Sequence, residues 1–199
     1  VKFIRIDFLS WHEDGMNYSD QIDRGYGRER YVKGLQWINK YAQKYGVYVS
    51  LVMPHLKNNA IIEQYAGNMV RIDADVLEGS WYRFSDNNRG TLRGGWPNSE
   101  NAFDGFVNWS KISGRQKVRL DGDFIRIESF ASDDEKMSAV SLPLMAGGPI
   151  AVTDMPTGDN LKFFQNAEIL ALQKDGFVGQ PLTRNLWNAD GQIWYGQMK

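Results

Sequence analysis

Short apolar runs alternate with segments of helical period along this chain, and that alternation narrows its possible folds more than any other feature. Residues 1–6, Val1-Lys2-Phe3-Ile4-Arg5-Ile6, read as a strand, and the polar stretch 10–25 after them reads as a loop. Over residues 28–45, Tyr31, Leu35, Ile38, Ala42 and Tyr45 recur on one face, the spacing of a helix with one buried side. Gly46 fits its stop. Residues 47–52 form a nearly continuous apolar run, as expected of a strand covered on both faces, and Pro54 closes it. Further along, the pattern predicts a short helix over 59–65, a strand over 69–72, a long loop over 78–101 and a helix over 102–112. A strand over 117–120 comes next. Ser132 stands three positions before Glu135, a capping-box spacing that opens a helix to about Met145, where Gly147 and Gly148 end it. A strand over 149–152 and a helix over 160–174 complete the series. Strands alternating with helices predict βα units around a parallel sheet.

Five strand units result, at 2–8, 47–52, 69–72, 117–120 and 149–152. A complete eight-stranded α/β barrel needs about 250 residues, so 199 residues are expected to hold part of one, with the missing strands supplied by a parent chain or a partner. After Gly179 the period changes, and residues 192–198 alternate like an antiparallel strand. The expected division is a partial catalytic barrel over 1–179 and the start of a C-terminal β-domain over 180–199.

Composition excludes several classes of chemistry. The chain has no cysteine, so disulfides, thiol nucleophiles and thiolate metal sites are ruled out. Its two histidines, His12 and His55, are too few for a multi-histidine metal centre. A net charge of -1 gives no electrostatic case for a nucleic-acid or membrane partner. No run approaches the ~20 apolar residues of a membrane span. Seven Trp, nine Tyr and ten Phe are available to stack on sugar rings, although filling the core is their default use.

Two of the strand runs end in acids. Asp7 follows the first, and Asp73-Ala74-Asp75 follows residues 69–72. A parallel α/β barrel places its chemistry at the C-terminal ends of its strands, and two carboxylates meeting there can cleave a glycosidic bond. Asp7 would attack the anomeric carbon; its bland alternative is a loop cap or a partner for Arg5. Asp75 would donate the proton, kept neutral by burial or by the charge of the nucleophile. Asp73 competes for that role. Arg5 and Arg71 could donate to sugar hydroxyls or form ion pairs within the barrel mouth. Asp123 could bind a hydroxyl or serve the turn at Asp121-Gly122. Trp81, Tyr82 and Trp96 could form a stacking platform or simply pack the long loop.

These segments resemble glycoside hydrolase family 27, the α-galactosidase family of clan D. Ile4-Arg5-Ile6-Asp7 is similar to its nucleophile motif after the fourth barrel strand. Arg71-Ile72-Asp73-Ala74-Asp75 is similar to its acid/base motif after the sixth, and Leu120-Asp121-Gly122-Asp123-Phe124 to its sugar-lining segment after the seventh. Residues 141–154 and 166–175 resemble its closing helix–strand–helix. Where the family carries a Cys-Glu-Trp sugar contact, this chain has Val52-Met53-Pro54 followed by His55, which places Met53 and His55 beside the substrate. The resemblance implies strands four to eight of a (β/α)8 barrel and a retaining hydrolase of α-linked sugars. Asp7 would be the nucleophile and Asp75 the acid/base, with Arg5, Arg71 and Asp123 binding substrate. No cofactor or metal is implied, and a secreted or periplasmic location is expected. The competing readings are a non-catalytic carbohydrate-binding homologue, an inactive barrel fragment, or a phosphate-binding barrel enzyme.

Overall fold

The computed structural model describes residues 2–18, 21–76, 79–114, 118–155, 157–188 and 192–198. Val1 and Lys117, assigned to strands from the sequence, Glu78 at the start of the expected loop, and Lys199 lie outside them. In chain order the elements begin β1 (Phe3–Ile6), α1 (Leu9–Asp14), β2 (Met16–Tyr18), β3 (Gln21–Asp23) and α2 (Gly27–Tyr45). They continue β4 (Tyr48–Leu51), α3 (Lys57–Ala66), β5 (Met69–Arg71), α4 (Ala102–Trp109), β6 (Arg119–Asp121) and β7 (Phe124–Ile125). The last are α5 (Asp133–Met145), β8 (Ala151–Val152), α6 (Leu161–Phe164), α7 (Ala167–Asp175), β9 (Gln180–Pro181) and β10 (Trp194–Tyr195).

The fold is mixed α/β around a parallel sheet. Its strands run β1-β4-β5-β6, every pair parallel, with Ile6 beside Leu51, Leu51 beside Val70, and Arg71 beside Asp121. Beyond Gly122-Asp123 the same segment continues as β7, which pairs in parallel with β8. Side chains of a strand alternate between faces. Val49, Leu51, Val70, Ile72 and Leu120 therefore point one way, into a core shared with Tyr31 and Leu35 of α2, Ala60 of α3 and Phe106 of α4. Arg5, Ser50, Met69, Arg71 and Asp121 point the other way. Arg5 Nη1 reaches Asp121 Oδ2 at 2.7 Å although β4 and β5 lie between their strands. Neighbouring strands stand about 4.8 Å apart, so this contact draws the two outer strands of the four towards one concave face.

Local differences from the sequence reading have identifiable causes. The stretch expected as a polar loop over 10–25 contains α1 and the β2–β3 hairpin. Nothing in α1 has an apolar period. It is held by its buried Glu13, which takes Lys57 Nζ at 2.6 Å and Arg28 Nη1 at 3.0 Å. The expected helix over 160–174 is two, because Asn166 accepts from the backbone N–H of Glu168 and Ile169 and starts α7 afresh. A π-helical turn, Tyr82–Asp86, sits in the long loop. Ser132 caps α5 as its spacing predicts, accepting from Glu135 N at 3.2 Å, while Glu135 reaches back to Ala131 N. At the C-terminal end β9 and β10 pair antiparallel, and Trp194 and Leu186 enter the same core. Among the described residues, no helix is long and apolar enough to cross a membrane.

Candidate active site

The candidate acids gather at the C-terminal ends of the parallel strands. Asp7 follows β1 directly; its Oδ1 accepts from Phe8 N at 2.7 Å, a short cap made where Phe8 turns left-handed (φ 58°) into α1. Neither arginine reaches it. Arg5 is engaged by Asp121, and its guanidinium carbon lies 5.4 Å from the Phe124 ring.

Arg71 closes β5 and organises everything beyond it. Only 2% of its side chain is exposed. Nε donates to Asp73 Oδ1 (3.1 Å), Nη1 to Asp123 Oδ1 (2.7 Å), and Nη2 to both Ala74 O (2.8 Å) and Asp75 Oδ1 (3.1 Å). Burial works against its charge, but Asp73, Asp123, Asp121 and Asp75 more than offset that and leave its pKa above the ordinary arginine value. With four of its five N–H groups given to protein acceptors, Arg71 shapes the loop that carries Asp75.

Asp123 is equally committed. It is buried with a left-handed backbone (φ 69°), its Oδ2 accepts from Val76 N at 2.9 Å, and its own N–H donates to Asp121 Oδ1 at 3.0 Å. Burial raises its pKa while Arg71 and the backbone N–H groups of Val76 and Phe124 pull the other way. It too holds the rim together. Gly122 is required between the two acids, because a Cβ there would lie 2.3 Å from the Phe106 ring.

Asp73 and Asp75, two residues apart, have opposite surroundings. Asp73 is fully buried, one oxygen on Arg71 and the other, Oδ2, without a partner. Burial pushes its pKa well above the usual carboxylate range despite the arginine. Asp75 is 85% exposed, tethered by Arg71 alone. The burial expected around a proton donor at Asp75 is thus not provided by these residues. Its accessibility suits contact with substrate.

His55 and Met53 follow β4. Met53 adopts φ 57° and its carbonyl accepts from Ser10 N at 2.8 Å, fixing the start of α1 to this strand. His55 Nδ1 accepts from Trp96 N at 2.8 Å, and its Nε2 lies 2.9 Å from Asp14 Oδ2. Trp96 in turn sits over Arg71, 5.9 Å from guanidinium carbon to ring. The sequence reading offered Trp81, Tyr82 and Trp96 together. Only Trp96 is brought to the carboxylates; Trp81 lines an apolar cavity of ≈ 150 Å³ with Phe84, Phe103 and Trp194. Asp121 and Asp14, absent from the sequence-based candidates, belong to the rim through partners 116 and 41 residues away. Among the described residues, no group of three or more His, Asp or Glu side chains is placed to hold a metal ion.

The whole chain is similar to one curated relative. It is isomalto-dextranase from Arthrobacter globiformis. The two are 40% identical over 208 aligned positions, covering 100% of this chain and 32% of the relative. A solved structure of that enzyme from strain T6, complexed with panose, superposes with a TM-score of 0.84 at 43% identity, covering 92% of this chain and 31% of that one. The chain thus spans about a third of the length of the relatives it matches. No family model matches it. These findings correct the expected membership of the α-galactosidase family 27: the relative is named for dextran, a glucose polymer, and nothing supports action on galactosides.

Proposed function

We propose that this chain is the catalytic-site portion of a retaining glycoside hydrolase acting on an α-linked glucan. The observation that carries the reading is the 40% identity to isomalto-dextranase across all of this chain, combined with Asp7 and Asp75 lying after β1 and β5 at the same end of one parallel sheet. The sheet supports a barrel. Its parallel strands follow one another in chain order with no reversal, where an open doubly wound sheet would show a switch point. The concave face marked by Arg5 and Asp121 agrees with closure into a (β/α)8 barrel whose remaining strands come from elsewhere in the parent protein.

In the proposed mechanism Asp75 protonates the glycosidic oxygen as the Asp7 carboxylate attacks the anomeric carbon. The bond to the leaving sugar breaks and a covalent glycosyl–Asp7 ester forms. Asp75, now ionised, takes a proton from water, whose oxygen displaces Asp7 and releases the sugar with its original anomeric configuration. Such carboxyl pairs work at about 5–5.5 Å. Asp7 Oδ1 takes the Phe8 N–H, and Oδ2 is the oxygen offered for attack. Arg71 holds the Ala74 carbonyl and the Asp75 carboxyl in place. A polymer of this kind is met outside the cytoplasm, which favours an exported enzyme.

The test is turnover of dextran and of an aryl α-glucoside by the intact enzyme and its Asp7→Asn form, with product anomers followed by NMR. Retention in the wild type and loss of at least 10³-fold (on the order of the nucleophile's contribution) in Asp7→Asn are expected. Activity persisting in the variant, or an inverted product, would sink the mechanism. Glucan binding with no turnover by the wild type would select the non-catalytic carbohydrate-binding reading.

A further inference from the structure

Three rim segments converge on Trp96, the end of β5 through Arg71, and the ends of β4 and α1 through His55. The loop between β5 and α4 carries Trp96 back to the end of β5, where its indole lies 5.9 Å from the Arg71 guanidinium carbon. The same guanidinium holds Asp75 at 3.1 Å. Trp96 is half-buried, and through Arg71 it shares a partner with the exposed Asp75. Its backbone N–H donates to Nδ1 of His55, which follows β4. Since Nδ1 is an acceptor, the hydrogen of the neutral imidazole sits on Nε2, and Nε2 faces Asp14 Oδ2 at the end of α1. Gly95 permits the approach: a Cβ there would come within 3.1 Å of His55 Nδ1. The neighbouring aromatics are used otherwise, Trp81 in the apolar cavity and Tyr82 through a hydroxyl bonded to Asn87 Oδ1.

Building on the assignment of Asp75 as acid/base, we propose that Trp96 is the stacking wall for the sugar ring on the leaving-group side, and that His55 is the positioning residue that holds it there. A proton donor sits next to the glycosidic oxygen, and the departing sugar lies just beyond that oxygen. An indole beside the donor meets the apolar C–H face of that ring. Arg71, buried beneath, fixes both the donor and the wall. The leaving group is thus recognised as a ring, by shape and apolar surface, without any charged contact.

Two substrates with the same glucosyl group separate this role from a general one. A gluco-oligosaccharide has a sugar as its leaving group; α-glucosyl fluoride has no ring to stack. In the intact enzyme, Trp96→Ala is expected to raise KM for the oligosaccharide about 3- to 10-fold, the scale of one aromatic contact, and to change the kinetics on the fluoride by much less. Trp96→Phe should retain most of the affinity. His55→Ala should reproduce the Trp96→Ala pattern, and His55→Asn should recover part of it by offering an oxygen to Trp96 N. Equal losses on both substrates, or an unchanged oligosaccharide KM, would overturn the proposal while leaving the hydrolase reading standing. A wild-type enzyme inactive on both substrates would remove the hydrolase reading, and this proposal with it.

Discussion

Arg71 Nη1 donates to Asp123 Oδ1 at 2.7 Å with both side chains almost wholly enclosed. Each of the two ends a different stretch of chain, Arg71 the third strand of the sheet and Asp123 the break between β6 and β7. Their bond sets the path of the loop on which Asp75 is mounted.

Removing the guanidinium strands two buried carboxylates. Arg71→Met is expected to lower unfolding free energy by about 3–5 kcal/mol, the range for breaking a buried ion pair from one side. Urea denaturation of the intact enzyme measures it. Activity should fall further than stability explains, since Asp75 loses its tether.

The acid/base assignment predicts a split by leaving group. Asp75→Ala should reduce hydrolysis of oligosaccharides by about 10²–10⁴-fold, while α-glucosyl fluoride, whose fluoride departs without a proton, should still form the glycosyl–Asp7 ester, which then accumulates because its hydrolysis lacks the base. Asp7→Ala should abolish both. A pre-steady-state burst of fluoride release with slow turnover, rescued by azide, is the expected signature of Asp75→Ala, and loss of the burst would refute the assignment.

Buried Asp73 makes stability depend on pH in a stated direction. Its folded pKa lies well above the usual carboxylate value because of desolvation. Between the unfolded value of about 3.9 and the folded value, the native state holds a proton that the unfolded state has lost. Stability therefore declines as pH rises through that window and levels off above it. Asp73→Asn, which keeps an oxygen for Arg71 Nε, should flatten the decline. Unfolding midpoints measured upward from pH 4 would show it, and an unchanged slope would count against the burial argument.

Tyr31 and Glu63 provide a second buried pair away from the rim. Tyr31 Oη donates to Glu63 Oε1 at 2.6 Å, while Glu63 Oε2 has no partner. Burial raises the pKa of both groups. Tyr31→Phe leaves Glu63 Oε1 without its hydrogen bond, with Arg28 Nη1 3.7 Å away, and should cost about 1–3 kcal/mol. The double change Tyr31→Phe with Glu63→Leu should recover much of that loss, because no buried acceptor then remains.

The parts of the fold that were legible in the sequence are those determined locally. The apolar stripe of α2, its Gly46 stop with φ 62°, and the buried runs of β4 and β5 all follow from residue spacing. What stayed hidden depends on distant partners. Helix α1 rests on Lys57 and Arg28, and the break between α6 and α7 on a single asparagine whose capping geometry competes with a continuous helical period. At the site, the ends of strands pointed to Asp7, Asp75, Arg5 and Arg71. Spacing could not tell a buried Asp73 from an exposed Asp75 two residues on, nor show that Arg71 faces inward to carboxylates. The link from His55 to Trp96 crosses 41 positions and leaves no mark in either local pattern.

At the rim Arg5 is matched to Asp121, and Arg71 to Asp73, Asp75 and Asp123. Under the proposed reading, a uronic acid or sulfated sugar beside the exposed Asp75 meets a like charge where an uncharged hexose does not, so acidic glycans would be disfavoured before any hydroxyl is read.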